Sequence, residues 1–477
     1  MLFRRLVKDS AIYGGADFFS KCVLFLTYPM IAAALSPQAF GALELVVTTT
    51  SLLGLIMNCG LNNSAQRFYW DKDISSEQRS ILVSSGLAAL FGFGVLAMGV
   101  GLISIPAILP LVRRFDLPLT TVALVASLSL MVFNQWLQYI LDVLRLQLAP
   151  WRFMAVSIIF RGGGAIAAVV VVAQLGWGID GILSVQAITA LCVLPLAFYF
   201  IRNDLTIRVD LTWLGELVRF GYPFIFMGLA YWVFGSMDRW MLASMSSVEE
   251  VGIYSVAFRF SSMVLFVSVA FGLAWSPLSI KIRADNPEGY RHAYASVLLI
   301  LLYVMLVVGG SVALFSGELI YLLMPSEYEA SALPLAILCF CVIFQATQQV
   351  TAIGISLEKK TFLFARLAWL AASINFFLNY YMIPVFGATG AACATLITHI
   401  FLTGSYLYFT QILHNLPISW KKFIVLLVAG VCLIFVSCFY SMSSLCVSVL
   451  MIKLFIIVML VLCGLFILPF RSFQVER

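Results

Sequence analysis

"IYGGADFFSKCVLFLTYPMIAAALS", residues 12–36, is long and apolar enough to cross a membrane as a helix, yet it carries Asp17 and Lys21. Four residues make about one helical turn, so the acid and the base share a face. Such a pair can neutralise itself. It can also face a wet cavity, because ionisable groups at membrane depth commonly mark a route for substrate or ion. The rest of the chain has to choose.

Similar runs fill it. The chain is 62% hydrophobic and 10% charged, with a mean hydropathy of +1.04; a soluble domain is about a quarter charged. Fourteen apolar runs can be counted, among them 11–35, 41–64, 214–235, 250–280, 362–383, 388–411 and 446–469. Runs of roughly 20 residues suit helices, not the short alternating strands of a barrel. The fold class is therefore an all-α polytopic membrane protein. The ten cysteines all fall in apolar runs and read as packing residues, with neither a disulfide frame nor a metal site. The basic start "MLFRRLVKDS" reads as the flank of a first span; a cleaved signal peptide would be shorter and free of charge.

Charge orients the spans. Of the 28 Lys and Arg, twenty fall in loops and helix ends on the side of the N-terminus and three, Arg113, Arg114 and Arg239, in loops on the other. Cationic loops stay in the cytoplasm, so both termini are expected there. The net charge of +6 is mostly this topology and gives no reason to expect nucleic acid. The loops are too short for a soluble catalytic domain, so no catalytic residue is assigned.

An internal repeat organises the spans. "GWGIDGILSVQAIT" (176–189) matches "VFGATGAACATLIT" (385–398), and "SPQAFGA" (36–42) matches "SVEEVGI" (247–253) at nearly the same offset. Two six-helix lobes result, 1–205 and 206–415, with two further helices in 416–477. Even-numbered repeats keep one orientation and place a substrate site between the halves, as in a transporter. Gly14, Gly15 and Pro29 make the first helix bendable, and Gly221 with Pro223 do so for the seventh.

Three stretches carry a family resemblance: "KDSAIYGGADFFSKCVLFLTYPMIAAALSPQAFGALEL" (8–45), "GLNNSAQRFY" (60–69) and "EEVGIYSVAFRFSSMVLFVSVAFGLAWSP" (249–277). In these the whole chain resembles the polysaccharide-transporter family, flippases for lipid-linked oligosaccharides such as O-antigen units. Its superfamily also holds lipid II flippases and multidrug exporters. The resemblance implies a cavity lined by helices one, two, seven and eight, a groove for a lipid tail at the last two helices, and transport by alternating access. The implied partners are an undecaprenyl-diphosphate-linked glycan, membrane lipids, and the polymerase and chain-length proteins of the same route. No cofactor is implied beyond a coupling H+ or Na+.

The buried polar residues can be read against that expectation. Lys21 and Arg259 are cations well inside their helices, and two cations in one cavity suit a diphosphate. Arg67 would meet it at the inner mouth. Asp17 is the candidate for ion coupling. Thr50, Gly54, Asn58, Asn62 and Gln66 recur every four residues as a polar stripe, fit either for bonds between helices or for sugar. Asn375 and Asn379 repeat that choice. Asp142 and Arg161 read as a structural pair, and Lys453 would border the tail groove. Two rivals remain. A multidrug exporter of the same superfamily usually takes cations, which the excess of buried cations opposes. A membrane glycosyltransferase or polymerase would rest on "DKD" (71–73), which lies in a short loop with no nucleotide-binding domain around it.

Overall fold

The computed structural model describes residues 2–71, 74–358, 360–441 and 447–467, the side chains of 2–13, 16–18, 111, 361 and 465–467 apart. Among the described residues there are nineteen α-helices and no strand. Twelve of the described segments are long and apolar enough to span a membrane, and a shorter one, Phe19–Ala33, joins them. One of the twelve, Phe362–His414, contains a non-helical residue, Gly387 at φ 52° and ψ −133°, and so holds two spans. The expected fourteen apolar segments are thereby found, and the all-α membrane fold is as expected.

The chain divides into two compact units, Met1–Trp232 and Val233–Arg477. The first contains α1 (Leu2–Ala33), α2 (Pro37–Asn58), α3 (Leu61–Phe68), α4 (Ser76–Arg114) and α5 (Thr121–Leu146). It continues with α6 (Pro150–Ser157), a π-helical segment (Ile158–Gly163), α7 (Gly164–Leu175), α8 (Gly178–Ile201) and α9 (Leu211–Gly221). Helix α10 (Pro223–Met245) begins in this unit and ends in the next. The second contains α11 (Val248–Ser261), α12 (Val264–Asp285), α13 (Tyr290–Leu314), α14 (Ser316–Leu323) and α15 (Ala332–Thr351). It closes with α16 (Ile353–Leu357), α17 (Thr361–His414), α18 (Trp420–Tyr440) and α19 (Val447–Ile467).

Local chemistry sets the starts. Ser36, Thr120, Asp210 and Ser247 each accept a bond from the first turn of the helix they precede, which satisfies amides that would otherwise be orphaned. Pro37 and Pro150 stand at first-turn positions where no amide is missed. Packing then fixes the centre of each unit. In the first, α5 is the hub: Leu137, Tyr139, Ile140, Leu141, Val143 and Leu144 are fully buried, with α4 and α8 packed around them. In the second the hub is α15, buried along nearly its whole length against α11, α13 and α17.

Three expectations need correction. The second span is not one helix over 41–64. It breaks after Asn58, with Cys59 at φ 49° and Gly60 at φ 69°, before α3 resumes. The span 250–280 likewise breaks, at Ser262 and Met263. Arg239 is not in a loop. It lies inside α10, only 4% exposed, beside the equally buried Asp238; the adjacent opposite charges make a helical segment look like a polar connection. The seventh span does break at Tyr222–Pro223, where a bend is expected. Helix α1 runs through Gly14 and Gly15 without interruption.

Candidate functional site

The polar groups of the first unit gather around the break in its second span. Asn58 closes α2 and Asn62 stands in the first turn of α3. The Asn58 amide donates to the Asn62 Oδ1 at 2.8 Å and to the Gln135 Oε1 at 3.2 Å. Asn62 in turn donates to the Asp142 Oδ2 at 2.8 Å. Asp142 is 5% exposed and lies 3.6 Å from the Arg145 guanidinium. Arg161 donates to Gln138 at 3.1 Å, and Gln138 bonds Asp142. The expected partners Asp142 and Arg161 therefore belong to one network, linked through Gln138, with Arg145 as a partner that spacing did not single out. Arg161 sits in the π-helical segment, where the run Gly162, Gly163 and Gly164 lets the hydrogen-bond ladder slip by a residue.

The backbone at this break is pinned from outside. A methyl group on Gly60 would come 2.1 Å from the Gly221 carbonyl oxygen, and one on Gly221 would come 2.4 Å from the Cys59 oxygen. The Ser64 hydroxyl donates to the Leu217 carbonyl at 2.6 Å. The broken second span and the broken seventh thus cross at bare backbone, a contact only glycine permits.

The other residues singled out in this unit are placed as follows. Lys21 is half-buried on α1, which packs against α6, α7 and the π-helical segment. Asp17 is in the same helix, but its side chain lies outside the described residues. Gln66 and Arg67 are exposed at the end of α3, where Arg67 lies 3.5 Å from Asp71. Beyond them Tyr69 donates to Asp204 at 2.5 Å while Arg79 stacks over Tyr69 and Trp70. Burial and the Asp204 carboxylate push the Tyr69 phenol well above its ordinary range. One buried acid was missed. Glu44, on α2, accepts from the Tyr28 hydroxyl of α1 at 3.3 Å.

In the second unit Arg259 is half-buried in the last turn of α11, directly before the break at Ser262. Asp238 and Arg239 form an ion pair at 3.2 Å, and the buried Tyr254 hydroxyl donates to Asp238. Arg239 also stacks on Phe258, 4.5 Å from its ring centre. Asn375 and Asn379 are buried and bonded to each other at 2.9 Å, with Thr398 at 3.4 Å from Asn375. Of the two roles open to them, bonding between helices is the one this geometry serves. Lys453 is fully buried and donates to both oxygens of Glu318, at 2.7 and 2.8 Å, and to the Tyr440 carbonyl. It clasps α19 to α14 and α18. No signal in the sequence joins Lys453 to an acid 135 residues away.

An apolar cavity of about 320 Å³ lies in this unit among α13, α15, α17 and α18. Leu298, Leu306, Phe340, Phe344, Leu426 and Ile434 line it. Thr347 and Thr403 also face it, but both hydroxyls donate to the Phe344 carbonyl. Among the described residues no group of acids, histidines and cysteines could hold a metal ion.

A family model described as Polysaccharide biosynthesis protein matches residues 6–283, and a second, MatE, matches residues 223–381. Among solved structures, the chain is similar to a lipid II flippase MurJ in an inward closed conformation. The identity is 13%, over 96% of this chain and 99% of that one, at a TM-score of 0.74. An inward-facing multidrug resistance MATE family transporter of the MOP superfamily is 16% identical over 82% of this chain and 94% of that one, at 0.62. A MOP superfamily transporter from Pyrococcus furiosus is 16% identical over 86% and 94%, at 0.54. At such identities the likeness is one of fold. No curated protein matches.

Proposed function

Because the chain belongs to the polysaccharide biosynthesis protein family, and with it to the MOP superfamily of membrane transporters, we propose that it is a flippase for a polyprenyl-diphosphate-linked oligosaccharide. It carries an O-antigen or related repeat unit from the cytoplasmic to the outer leaflet of a bacterial inner membrane by alternating access. The observation that carries this reading is the pairing of two chemistries within one chain. Lys21 and Arg259 are cations half-buried within membrane helices, and α18 helps to wall a cavity large enough for part of an isoprenoid tail. Cations suit the diphosphate and the apolar wall suits the lipid.

In this reading Lys21 and Arg259 each serve the diphosphate, and Arg67, exposed at the end of α3, meets it first. Outward movement of negative charge gains about 2.3 kcal/mol per charge per 100 mV from the membrane potential. Asp17 is the residue proposed to couple H+ or Na+. Asn58, Asn62, Asn375 and Asn379 serve the protein's own hydrogen bonding, which leaves Gln66 as the exposed amide available to sugar. The MatE match favours a second reading, a multidrug exporter. Lys21 and Arg259, half-buried cations within membrane helices, oppose it, since such exporters usually take cationic substrates.

The test is a lipid extract of cells lacking the gene, analysed by mass spectrometry. A complete polyprenyl-diphosphate-linked repeat unit should accumulate, and wild type should clear it where Lys21→Ala and Arg259→Ala do not. No accumulation, with new sensitivity to cationic drugs, would replace the flippase by the exporter.

A further inference from the structure

We propose that Asp142 is a proton-binding site that sets whether the break in the second span is clamped or free, and so gives the transporter a titratable hinge distinct from Asp17. Its role in a transport cycle rests on the flippase reading; the site itself does not.

The argument begins with the backbone. Cys59 holds φ 49°, a left-handed conformation that is energetically costly for a residue with a side chain. Something must hold it there. One holder is steric, the crossing of Gly60 over Gly221. The other is polar, and it ends on a carboxylate. Asn58 precedes the break and Asn62 follows it, and the bond between their amides ties the two helix ends together. Two bonds to α5 anchor that tie, a weaker one from Asn58 to Gln135 at 3.2 Å and a shorter one from Asn62 to the Asp142 carboxylate at 2.8 Å. The break is therefore connected to one ionisable group through two short bonds.

The state of that group matters. As an anion Asp142 is acceptor only: it takes the Asn62 proton as a charge-assisted bond and attracts Arg145. Once protonated, it gains a donor, its bond to Asn62 drops to the strength of a neutral one, and its attraction to Arg145 is lost. The proton is exchanged at the carboxyl oxygen and no other bond is made or broken. The groups around the carboxylate are Arg145, Asn62, Gln138 and Arg161, with Tyr139 beside them. The charges of α4 at this end are engaged elsewhere, Arg79 with Tyr69 and Glu77 with Arg208. Arg145, at 42% side-chain exposure, gives the site a partly wet side from which a proton can arrive. Acid should therefore loosen the clamp and alkali should tighten it.

Cys59 is a natural reporter, a free thiol at the break itself. Purified full-length protein would be pulsed with N-ethylmaleimide between about pH 5.5 and 8.5. Labelling of Cys59 would be read by peptide mass spectrometry relative to the exposed Cys192 in the same molecules. In wild type the ratio should rise on the order of tenfold toward acid, the scale of a lost bond to a charged group. In Asp142→Asn it should be high and flat. Asn62→Ala keeps the Asp142–Arg145 pair but cuts the tie, so its ratio should also be flat, which keeps the test alive should the Asp142 variant not fold. A flat wild-type ratio would overturn the proposal and leave Asp142 a structural pair. A rise that persists in either variant would overturn it too, by assigning the effect to another group. No substrate is used, so this result and the lipid analysis can fail independently.

Discussion

The second span of the first unit and the corresponding span of the second start alike and break differently. Ser36 and Ser247 both cap their helices, with bonds of 3.3 Å from Ala39 and 3.1 Å from Glu250, and a buried glycine follows each, Gly41 and Gly252. The repeat seen in the sequence is thus a repeat of local structure. Further along they part. The first breaks through left-handed Cys59 and Gly60. The second breaks through Ser262 and Met263, both still at helical dihedral angles. One break is a joint whose shape depends on missing side chains; the other is a loosened hydrogen-bond ladder. Halves built from one pattern need not bend by one mechanism.

The largest expected effect follows from the first joint. Gly60→Ala adds a methyl 2.1 Å from the Gly221 carbonyl at a position with φ 69°. A side chain in that conformation costs about 1–2 kcal/mol and overpacking adds roughly 1–3. The obstacle is backbone, which cannot swing away. The thermal midpoint of purified protein should fall by more than for Ser36→Ala, Ser247→Ala or Ser262→Ala. A midpoint within error of wild type would mean that the crossing is loose and the contrast between the two breaks is false.

The caps should behave in the opposite way, as equals. Ser36→Ala and Ser247→Ala each remove one side-chain acceptor from a first turn and should cost about 1 kcal/mol apiece. Two unequal shifts would say that the repeat is one of sequence alone. The match was legible from the sequence because a cap is a local bargain between a side chain and the next three amides. The break at Cys59–Gly60 was not. Polar residues every four positions look the same whether a helix continues or restarts after one left-handed pair, and the glycine in "GLNN" was the sole local sign. Membrane class, helix count and the bend at Gly221 followed from composition and from proline chemistry. Partners did not. Glu318 and Lys453 lie 135 residues apart, and Asp142 finds Asn62 across 80. Periodicity says which face a residue is on but not which helix that face will meet.

The smallest effect belongs to the second break. The Ser262 hydroxyl donates to the Arg259 carbonyl one turn back, at 2.6 Å. A serine bonded in this way competes with the helix for that carbonyl and tends to bend it. Ser262→Ala returns the carbonyl to the ladder, so the loss of one bond is offset by the recovery of another, and stability should move by no more than about 0.5 kcal/mol. Because Arg259 stands in the turn that would straighten, its surroundings change even though the fold does not. The informative measurement is therefore the lipid analysis on a Ser262→Ala strain beside its thermal midpoint. An unchanged midpoint with partial accumulation of lipid-linked repeat unit would mean that the soft break positions Arg259. An unchanged midpoint with full clearance would leave the bend without a part in transport. A large drop in the midpoint would mean that this break is as rigid as the first, and that the two halves differ in dihedral angles but not in kind.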